Sequence, residues 1–354
     1  MSDKKKVFVG LSGGVDSSVA AWRLKEQGYD VTGVFIKVWH PDFLVCNWEQ
    51  ERLDAMRVAA HLDIPFLTCD AEAEYRDEVA KYFIGEYTVG RTPNPDVMCN
   101  KYVKFGAFLK FAKTHQADFI ATGHYARRID GDNGPELHRG VDENKDQTYF
   151  LWTLSNEQLK NVLFPVGDTT KEDIRHEADK AGLPTATKKD SQGVCFLGYI
   201  DIPEFISHFV DLQAGDVLDE KGEVVGCHKG AIVYTLGQRH GFTIDTIDGH
   251  REAYYVVDRD TENNTITVSS QRPKVKSSDE LVLKDVVARG EVEVGDELEA
   301  QTRYRQKPFA VRVEKVTNTE LVLSIKDKSV DAAASGQSCV LYRGSLCVLG
   351  GIIA

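Results

Sequence analysis

The chain has 354 residues, 42% of them hydrophobic and 28% charged, which suits a folded soluble protein of two or three domains. No apolar run approaches the roughly 20 residues that span a bilayer. The charged start, Met1 to Lys6, lacks the apolar stretch of a secretory signal, so a cytoplasmic protein with no membrane partner is expected. A net charge of −12 argues against nucleic acid as a partner for the whole surface but leaves room for local basic faces.

In chain order, Val7 to Leu11 reads as a buried strand, and the run after Val15 as a helix with Val15, Val19 and Trp22 on one face and Gly28 as its stop. Val31 to Ile36 reads as a strand, followed by a helix through Leu53, Met56 and Ala60 that ends before Pro65. Phe66 to Cys69 is a short strand, Tyr75, Val79 and Phe83 mark a helix, and Phe119 to Thr122 is a further strand. This alternation predicts an α/β fold with a mostly parallel sheet covered on both faces. Thr169-Thr-Lys-Glu172 has the form of a capping box opening a helix that stops near Gly182 and Pro184. After about residue 205 short β-like runs replace the helical periods. They lie between turns such as Asp219-Glu-Lys-Gly222 and Asn263-Asn264, and include Thr265 to Ser269, Val282 to Ala288 and Phe309 to Val316. The expected organisation is a nucleotide-binding domain at 1–205, a central β domain at 206–275 and a C-terminal β-barrel at 276–354.

Val9-Gly-Leu-Ser-Gly-Gly-Val-Asp-Ser-Ser18 joins the first strand to the first helix. Gly13 and Gly14 permit tight turns, Ser12, Ser17 and Ser18 offer hydroxyls, and the helix N-terminus behind them presents free N–H groups to an anion. The loop is therefore built as a phosphate cradle. It has neither the Walker ending nor the Rossmann spacing, and Ser-Gly-Gly-x-Asp-Ser resembles the loop of the PP-loop ATP pyrophosphatases, which cut ATP between its α and β phosphates.

The seven cysteines are scattered, with no Cys-x-x-Cys pair to indicate a zinc ribbon or a thioredoxin-type site. Two lie in informative surroundings. Cys99 follows Pro93, Pro95 and Asp96, which suggest a fixed loop with a carboxylate able to take a proton, and Lys101 beside it would favour a thiolate. Cys195 lies in Asp190-Ser-Gln-Gly-Val-Cys-Phe-Leu-Gly198, whose glycines suggest a mobile display loop. Taken alone, each cysteine is more simply a small buried hydrophobe.

Together with the loop at Ser12, these segments resemble the bacterial-type tRNA-specific 2-thiouridylase family over nearly the whole chain. The motifs are Gly90-Arg-Thr-Pro-Asn-Pro-Asp96, Cys99-Asn-Lys101, Thr122-Gly-His-Tyr-Ala-Arg127, Lys145-Asp-Gln-Thr-Tyr-Phe-Leu151, Ser191-Gln-Gly-Val-Cys-Phe196, Tyr234-Thr-Leu-Gly-Gln-Arg239, Arg303-Tyr304 and Gly336-Gln-Ser338. The resemblance implies that Gly10, Leu11, Ser12, Gly13, Gly14, Val15, Asp16 and Ser17 hold ATP phosphates and that Ile36 and Gly123 border the adenosine. It implies that Asn94, Pro95 and Asp96 meet the target base, and that His124, Lys145, Asp146, Gln147, Arg303, Tyr304 and Gln337 contact tRNA. It implies that Cys195 carries persulfide sulfur, with Cys99 as its partner nucleophile and Asp96 handling the proton. ATP, Mg2+, tRNA and a cysteine desulfurase or sulfur-relay protein follow as cofactors and partners. No metal-ligand set is assigned, and an iron–sulfur cluster on a similar Asp and two Cys, as argued for some relatives, is the less favoured reading. Cys46, Cys69, Cys227, Cys339 and Cys347 match no catalytic position, and the segment Lys37 to Trp48 departs from the usual pattern. Two rivals remain at this level: a PP-loop ligase forming amides, which would need no paired thiols, and a non-catalytic RNA-binding protein.

Overall fold

A computed structural model describes residues 4–354 apart from 45–47, 191, 192, 194, 196, 197, 199, 246–252, 275–279, 318 and 328. Cys46 thus lies outside the described residues, as does most of the motif around Cys195. Strands β1 (Lys6–Gly10), β2 (Asp30–Lys37), β3 (Phe66–Asp70), β4 (Phe119–Ala121) and β7 (Val162–Leu163) form a parallel sheet in the order β3-β2-β1-β4-β7. Alternation along β1 sends its side chains to two cores. Val7 and Val9 pack under helices α1 (Val15–Glu26) and α2 (Trp48–His61) and the helix Lys171–Lys180, whereas Phe8 packs under the helical runs 72–88 and 95–114.

Local sequence explains several element ends. Gly28 takes φ +89 after α1, and Gly182 takes φ +64 after the helix Lys171–Lys180, both left-handed positions where glycine avoids a Cβ clash. The expected capping box is shifted by one residue. Thr170, not Thr169, is the N-cap and accepts from the Asp173 amide, because Thr169 instead receives a bond from Arg23. Helix α2 forms as expected but buries Ala55, Val58 and Ala59, while Leu53 and Met56 remain exposed. The small residues let the helix sit close to the sheet.

A second sheet, β10-β9-β8-β12-β11, is built from β8 (Gly215–Leu218), β9 (Val224–His228), β10 (Thr243–Ile244), β11 (Tyr255–Asp260) and β12 (Thr265–Ser269). Its core takes in Phe83 and Tyr87 from the run 72–88. Six strands, β13 (Glu280–Ala288), β14 (Glu297–Gln301), β15 (Phe309–Val316), β16 (Glu320–Ile325), β17 (Ser338–Arg343) and β18 (Leu346–Ile353), close into an antiparallel barrel through the β13–β18 pairing.

The hairpin β5 (Ala126–Gly131) and β6 (Gly134–Arg139), not expected from the sequence, leaves the parallel sheet and joins the edge of the barrel at β18. Trp152 follows it there. Its Nε1 donates to Ser338 Oγ at 3.0 Å, and a Cβ on Gly350 would lie 2.5 Å from its side chain. The basic pair Arg127 and Arg128 is occupied in holding this hairpin, donating to Arg139 O and Leu159 O. Among the described residues no helix is long and apolar enough to cross a membrane.

Candidate active site

The phosphate loop leaves the C-terminal end of β1, where the strand order reverses between β2 and β4. Such a switch point opens a crevice for ligands in parallel sheets. Helix α1 is capped by Gly14, which has no side chain to occupy the first-turn N–H groups, so these remain for an anion. Ser17 and Ser18 hydroxyls bond the Gly14 carbonyl at 3.1 and 2.8 Å and fix the turn. Gly13 takes φ +70, and a Cβ there would lie 2.7 Å from Glu51 O. A Cβ on Gly123, in the loop after β4, would lie 2.6 Å from Ser17 N and 2.8 Å from Asp16 C. At Gly123 the two segments therefore approach with no room for a side chain. Ile36, at the end of β2, faces Gly10.

Asp16 points into a charged clamp absent from the sequence reading. Lys171 Nζ lies 2.6 and 2.8 Å from its two carboxylate oxygens, and the Tyr125 hydroxyl donates to it at 2.7 Å. Lys171 also reaches Asp190 at 3.0 Å, and Asp190 pairs with Arg175 and Lys145 at 2.6 and 2.7 Å. Burial pushes the Asp190 carboxyl up, but the hydrogen bonds and charges of Lys145 and Lys171 outweigh it and hold the group at about 2.

The thiol pair lies on the Phe8 side of the sheet. Cys99 is not in a loop, as expected, but on a helix. Asn94 caps Pro95–Met98 by accepting from the Val97 amide, Pro95 supplies a preset first turn, and the chain continues as a π-helix over Cys99–Ala107. Cys99 is fully buried, and its Sγ lies 3.3 Å from Cys195 Sγ. The i→i+5 winding carries Lys104, not Lys101, over the sulfurs. Lys101 lies instead over the Tyr102 ring.

The two thiols differ in character. Burial pushes Cys99 well up. The Cys99 hydrogen bond, followed by the Lys104 charge, lowers Cys195 against the opposing effect of burial. The pair therefore favours one anion on Cys195, with the proton on Cys99. By contrast, burial pushes Cys69 and Cys339 up to about 12.

Asp96 Oδ1 accepts the Cys195 amide at 2.8 Å, and the Tyr75 hydroxyl donates to the Cys195 carbonyl at 2.9 Å. Burial raises the Asp96 carboxyl, while the Cys195 amide and Lys104 pull it back. His124 links this pocket to the loop. Its Nε2 lies 3.5 Å from Lys104 Nζ, its Nδ1 lies 2.8 Å from Thr122 Oγ1, and its neighbour Gly123 touches Ser17. Burial between Phe105 and Phe164, then Lys104, holds this imidazole neutral.

The remaining expected tRNA contacts make bonds within the chain. Asp146 accepts from the amides of Gly140 and Thr148, and Gln147 Oε1 accepts from the Tyr125 amide. Arg303 donates to the carbonyls of Leu236 and Ala332, and Tyr304 packs against Phe150. Gln337 Nε2 donates to the carbonyls of Thr92 and Pro93, directly ahead of Asn94.

Asp16, the carboxylate of the loop, is paired with Lys171. The Asp96–Cys99–Cys195 set does not fit an iron–sulfur cluster. The sulfurs face each other, Asp96 Oδ1 is taken by an amide, and no group of three or more His, Cys, Asp or Glu among the described residues is placed to hold a metal ion.

A family model described as a tRNA methyl transferase HUP domain matches residues 5–199. One described as a tRNA methyl transferase PRC-barrel domain matches 203–270, and one described as an aminomethyltransferase beta-barrel domain matches 278–353. The tRNA-specific 2-thiouridylase MnmA of Escherichia coli O1:K1 / APEC is 45% identical over 357 residues, covering 99% of this chain and 96% of that protein. The protein of the same name from Shigella flexneri serotype 5b (strain 8401) is 44% identical over the same shares. A solved 4-thiouridine synthetase–RNA complex with bound ATP matches 55% of this chain and 45% of that chain at 20% identity and a TM-score of 0.35.

Proposed function

This chain belongs to the tRNA-specific 2-thiouridylase family, and from that membership we propose that it adenylates the 2-carbonyl of the wobble uridine of tRNA with ATP and replaces the oxygen with persulfide sulfur. The observation that carries the sulfur chemistry is the 3.3 Å approach of Cys99 and Cys195 beside a phosphate loop. Methyl transfer, named in the family-model descriptions, has no use for such a pair.

The chemistry follows from the residues. The uridine oxygen leaves poorly, and transfer of AMP to it, with release of pyrophosphate, makes it a good leaving group. The N-terminus of α1, which has no side-chain cap, would hold the phosphates, and Mg2+ would neutralise their charge. The Cys195 thiolate attacks the outer sulfur of a donor persulfide, and the donor thiolate leaves. The Cys195 persulfide then displaces AMP from C2, and Cys99 attacks Cys195 Sγ. This frees the 2-thiocarbonyl and closes a Cys99–Cys195 disulfide, with Asp96 taking the Cys99 proton. A thiol reductant resets the pair, which suits a cytoplasmic enzyme. The sulfur donor is a cysteine desulfurase or a relay protein.

In this reading residues 1–205 do the chemistry, 206–275 form the central β domain, and 276–354 grip tRNA. Asn94, Pro95 and Asp96 meet the target base. His124, Lys145, Asp146, Gln147, Arg303, Tyr304 and Gln337 contact tRNA, so docking exchanges some of their internal bonds for bonds to RNA. The test is nucleoside analysis of unmodified tRNA after incubation with the enzyme, Mg-ATP and a persulfide donor, with pyrophosphate measured in parallel. The expected result is 2-thiouridine together with pyrophosphate. Pyrophosphate without thionucleoside would contradict the sulfur reading.

A further inference from the structure

We propose that Tyr125 is a positioning residue for the phosphate loop: its hydroxyl holds the Asp16 carboxylate beside Lys171 and so keeps a negative charge from competing with ATP phosphates for the start of α1. The inference deepens the ATP site proposed above and rests on that reading of the loop. It starts from a conflict within the loop itself. Asp16 stands in the first turn of α1, the turn whose N–H groups remain for an anion. The helix dipole that draws a phosphate draws a carboxylate as well. A carboxylate free to turn onto those groups would occupy them and repel the nucleotide by like charge.

The structure holds this side chain by both oxygens. Oδ1 accepts from the Tyr125 hydroxyl at 2.7 Å and from Lys171 Nζ at 2.6 Å, and Oδ2 accepts from Lys171 at 2.8 Å. The two donors do different work. Lys171 supplies the opposite charge, but it sits on a flexible stem and is shared with Asp190 at 3.0 Å, so it follows the carboxylate rather than aiming it. Tyr125 supplies the direction. It is 2% exposed and lies in the core that contains Val15 and Val19 of α1, so its ring cannot turn away.

The backbone of Tyr125 is fixed as firmly as its ring. Its amide donates to Gln147 Oε1 at 2.9 Å, and its carbonyl accepts the Gln147 amide at 2.9 Å. Gly140 presses on the same carbonyl, which a Cβ at that position would meet at 2.9 Å. Burial, followed by the charge of Asp16, pushes the phenol up, so it stays a donor throughout the working range. Gln147 thus sets Tyr125, and Tyr125 sets Asp16. The segment proposed to meet tRNA therefore also steadies the nucleotide site. The competing account is a core tyrosine whose hydroxyl has found the nearest acceptor. The two accounts part on whether the effect of the hydroxyl runs through the charge of Asp16.

The test is a double-mutant cycle on the full-length chain: wild type, Tyr125→Phe, Asp16→Asn and the double variant. Affinity for Mg-ATP is measured by equilibrium dialysis without tRNA, and affinity for tRNA is measured in parallel by filter binding. Phe keeps the ring and the backbone bonds to Gln147, and removes only the donor. Tyr125→Phe should weaken ATP binding by about 3- to 10-fold and leave tRNA binding unchanged. In the Asp16→Asn background, where no charge remains to be held, the same substitution should change ATP binding by less than about 2-fold. Equal losses in both backgrounds, or loss of tRNA affinity in step with ATP affinity, would mean that Tyr125 acts through packing and overturn the inference. Unchanged or tighter ATP binding by Tyr125→Phe overturns it too. So does an Asp16→Asn chain that no longer binds ATP, because the carboxylate would then itself hold the nucleotide. If the wild type binds no ATP, the reading of the loop fails instead, and that failure is seen before any variant is made.

Discussion

The phosphate loop and the thiol pair border the same edge of one sheet but are assembled in different ways. The loop takes its shape from consecutive residues, with a glycine at the helix cap and serines closing back on Gly14. The thiols come from positions 96 residues apart and meet through a π-wound helix, a buried tyrosine and a carboxylate that grips a backbone amide. A phosphate site needs N–H groups and a helix end, which local sequence supplies. Two sulfurs at contact with unequal acidity are supplied only by tertiary packing. The contact between Gly123 and Ser17, and the chain from Thr122 through His124 to Lys104, are where the two regions meet.

The largest expected effect separates the regions outright. Cys195→Ser and Cys99→Ser should each lower tRNA thiolation by roughly 10³-fold or more, as for loss of a nucleophile, while pyrophosphate release continues. Loss of both reactions in either variant would break the division. Gly123→Ala attacks the contact itself, because the new Cβ meets backbone atoms of Asp16 and Ser17 that cannot rotate away. It should destabilise the fold by about 1–3 kcal/mol and slow pyrophosphate release by about 100-fold. Normal adenylation in this variant would show that the loops are not coupled.

Lys104→Met sharpens the thiol half. The Cys99 hydrogen bond and the Lys104 charge favour the Cys195 thiolate, so removing the lysine should raise its titration and slow iodoacetamide alkylation of Cys195 at neutral pH. An unshifted alkylation–pH profile would assign the acidity to Cys99 alone. Asp190→Asn is the smallest change. A carboxyl held at about 2 when folded contributes stability that is fully present above the ordinary carboxylate range and is lost as pH falls from about 4 towards 2. The gap between wild type and Asp190→Asn in urea unfolding should therefore be wider at pH 7 than at pH 3. An equal gap at both would mean that the bonds from Lys145, Lys171 and Arg175 do not depend on the Asp190 charge.

What the sequence made legible follows the same division. Strands β1 to β4 of the parallel sheet, the loop at Ser12 and the later β texture are local patterns, and each stands where it was expected, whereas the two-residue edge strand β7 was not expected. The partners of Asp16 are 109 and 155 residues away, and no spacing rule points to Tyr125 or Lys171. The helical state of Cys99 was hidden by Pro93 and Pro95, which read as loop markers although Pro95 is a helix starter. The choice of Lys101 over Lys104 followed from nearness in sequence, whereas π-winding selects the residue five positions on. The hairpin β5–β6 escaped because its pairing partner is the last strand of the barrel, which no local pattern points to.

That hairpin bears on how the chain is made. His138 bonds Ser345, 207 residues further along, and Trp152 waits for Ser338 and Gly350 before its ring is covered. On a ribosome adding about 5–20 residues per second, the segment carrying Lys145 emerges ten seconds or more before the strands that cover its neighbours, on the order of 200 residues at that rate. The N-terminal half cannot finish its own core until the barrel exists, because that core includes Val340, Tyr342, Cys347 and Ile352. Nascent chains should therefore pass through an interval with an apolar surface exposed, and contacts of such long range fold slowly. A chaperone that holds the growing chain over this interval would limit aggregation, and synonymous changes that slow synthesis after residue 152 would lengthen the exposure.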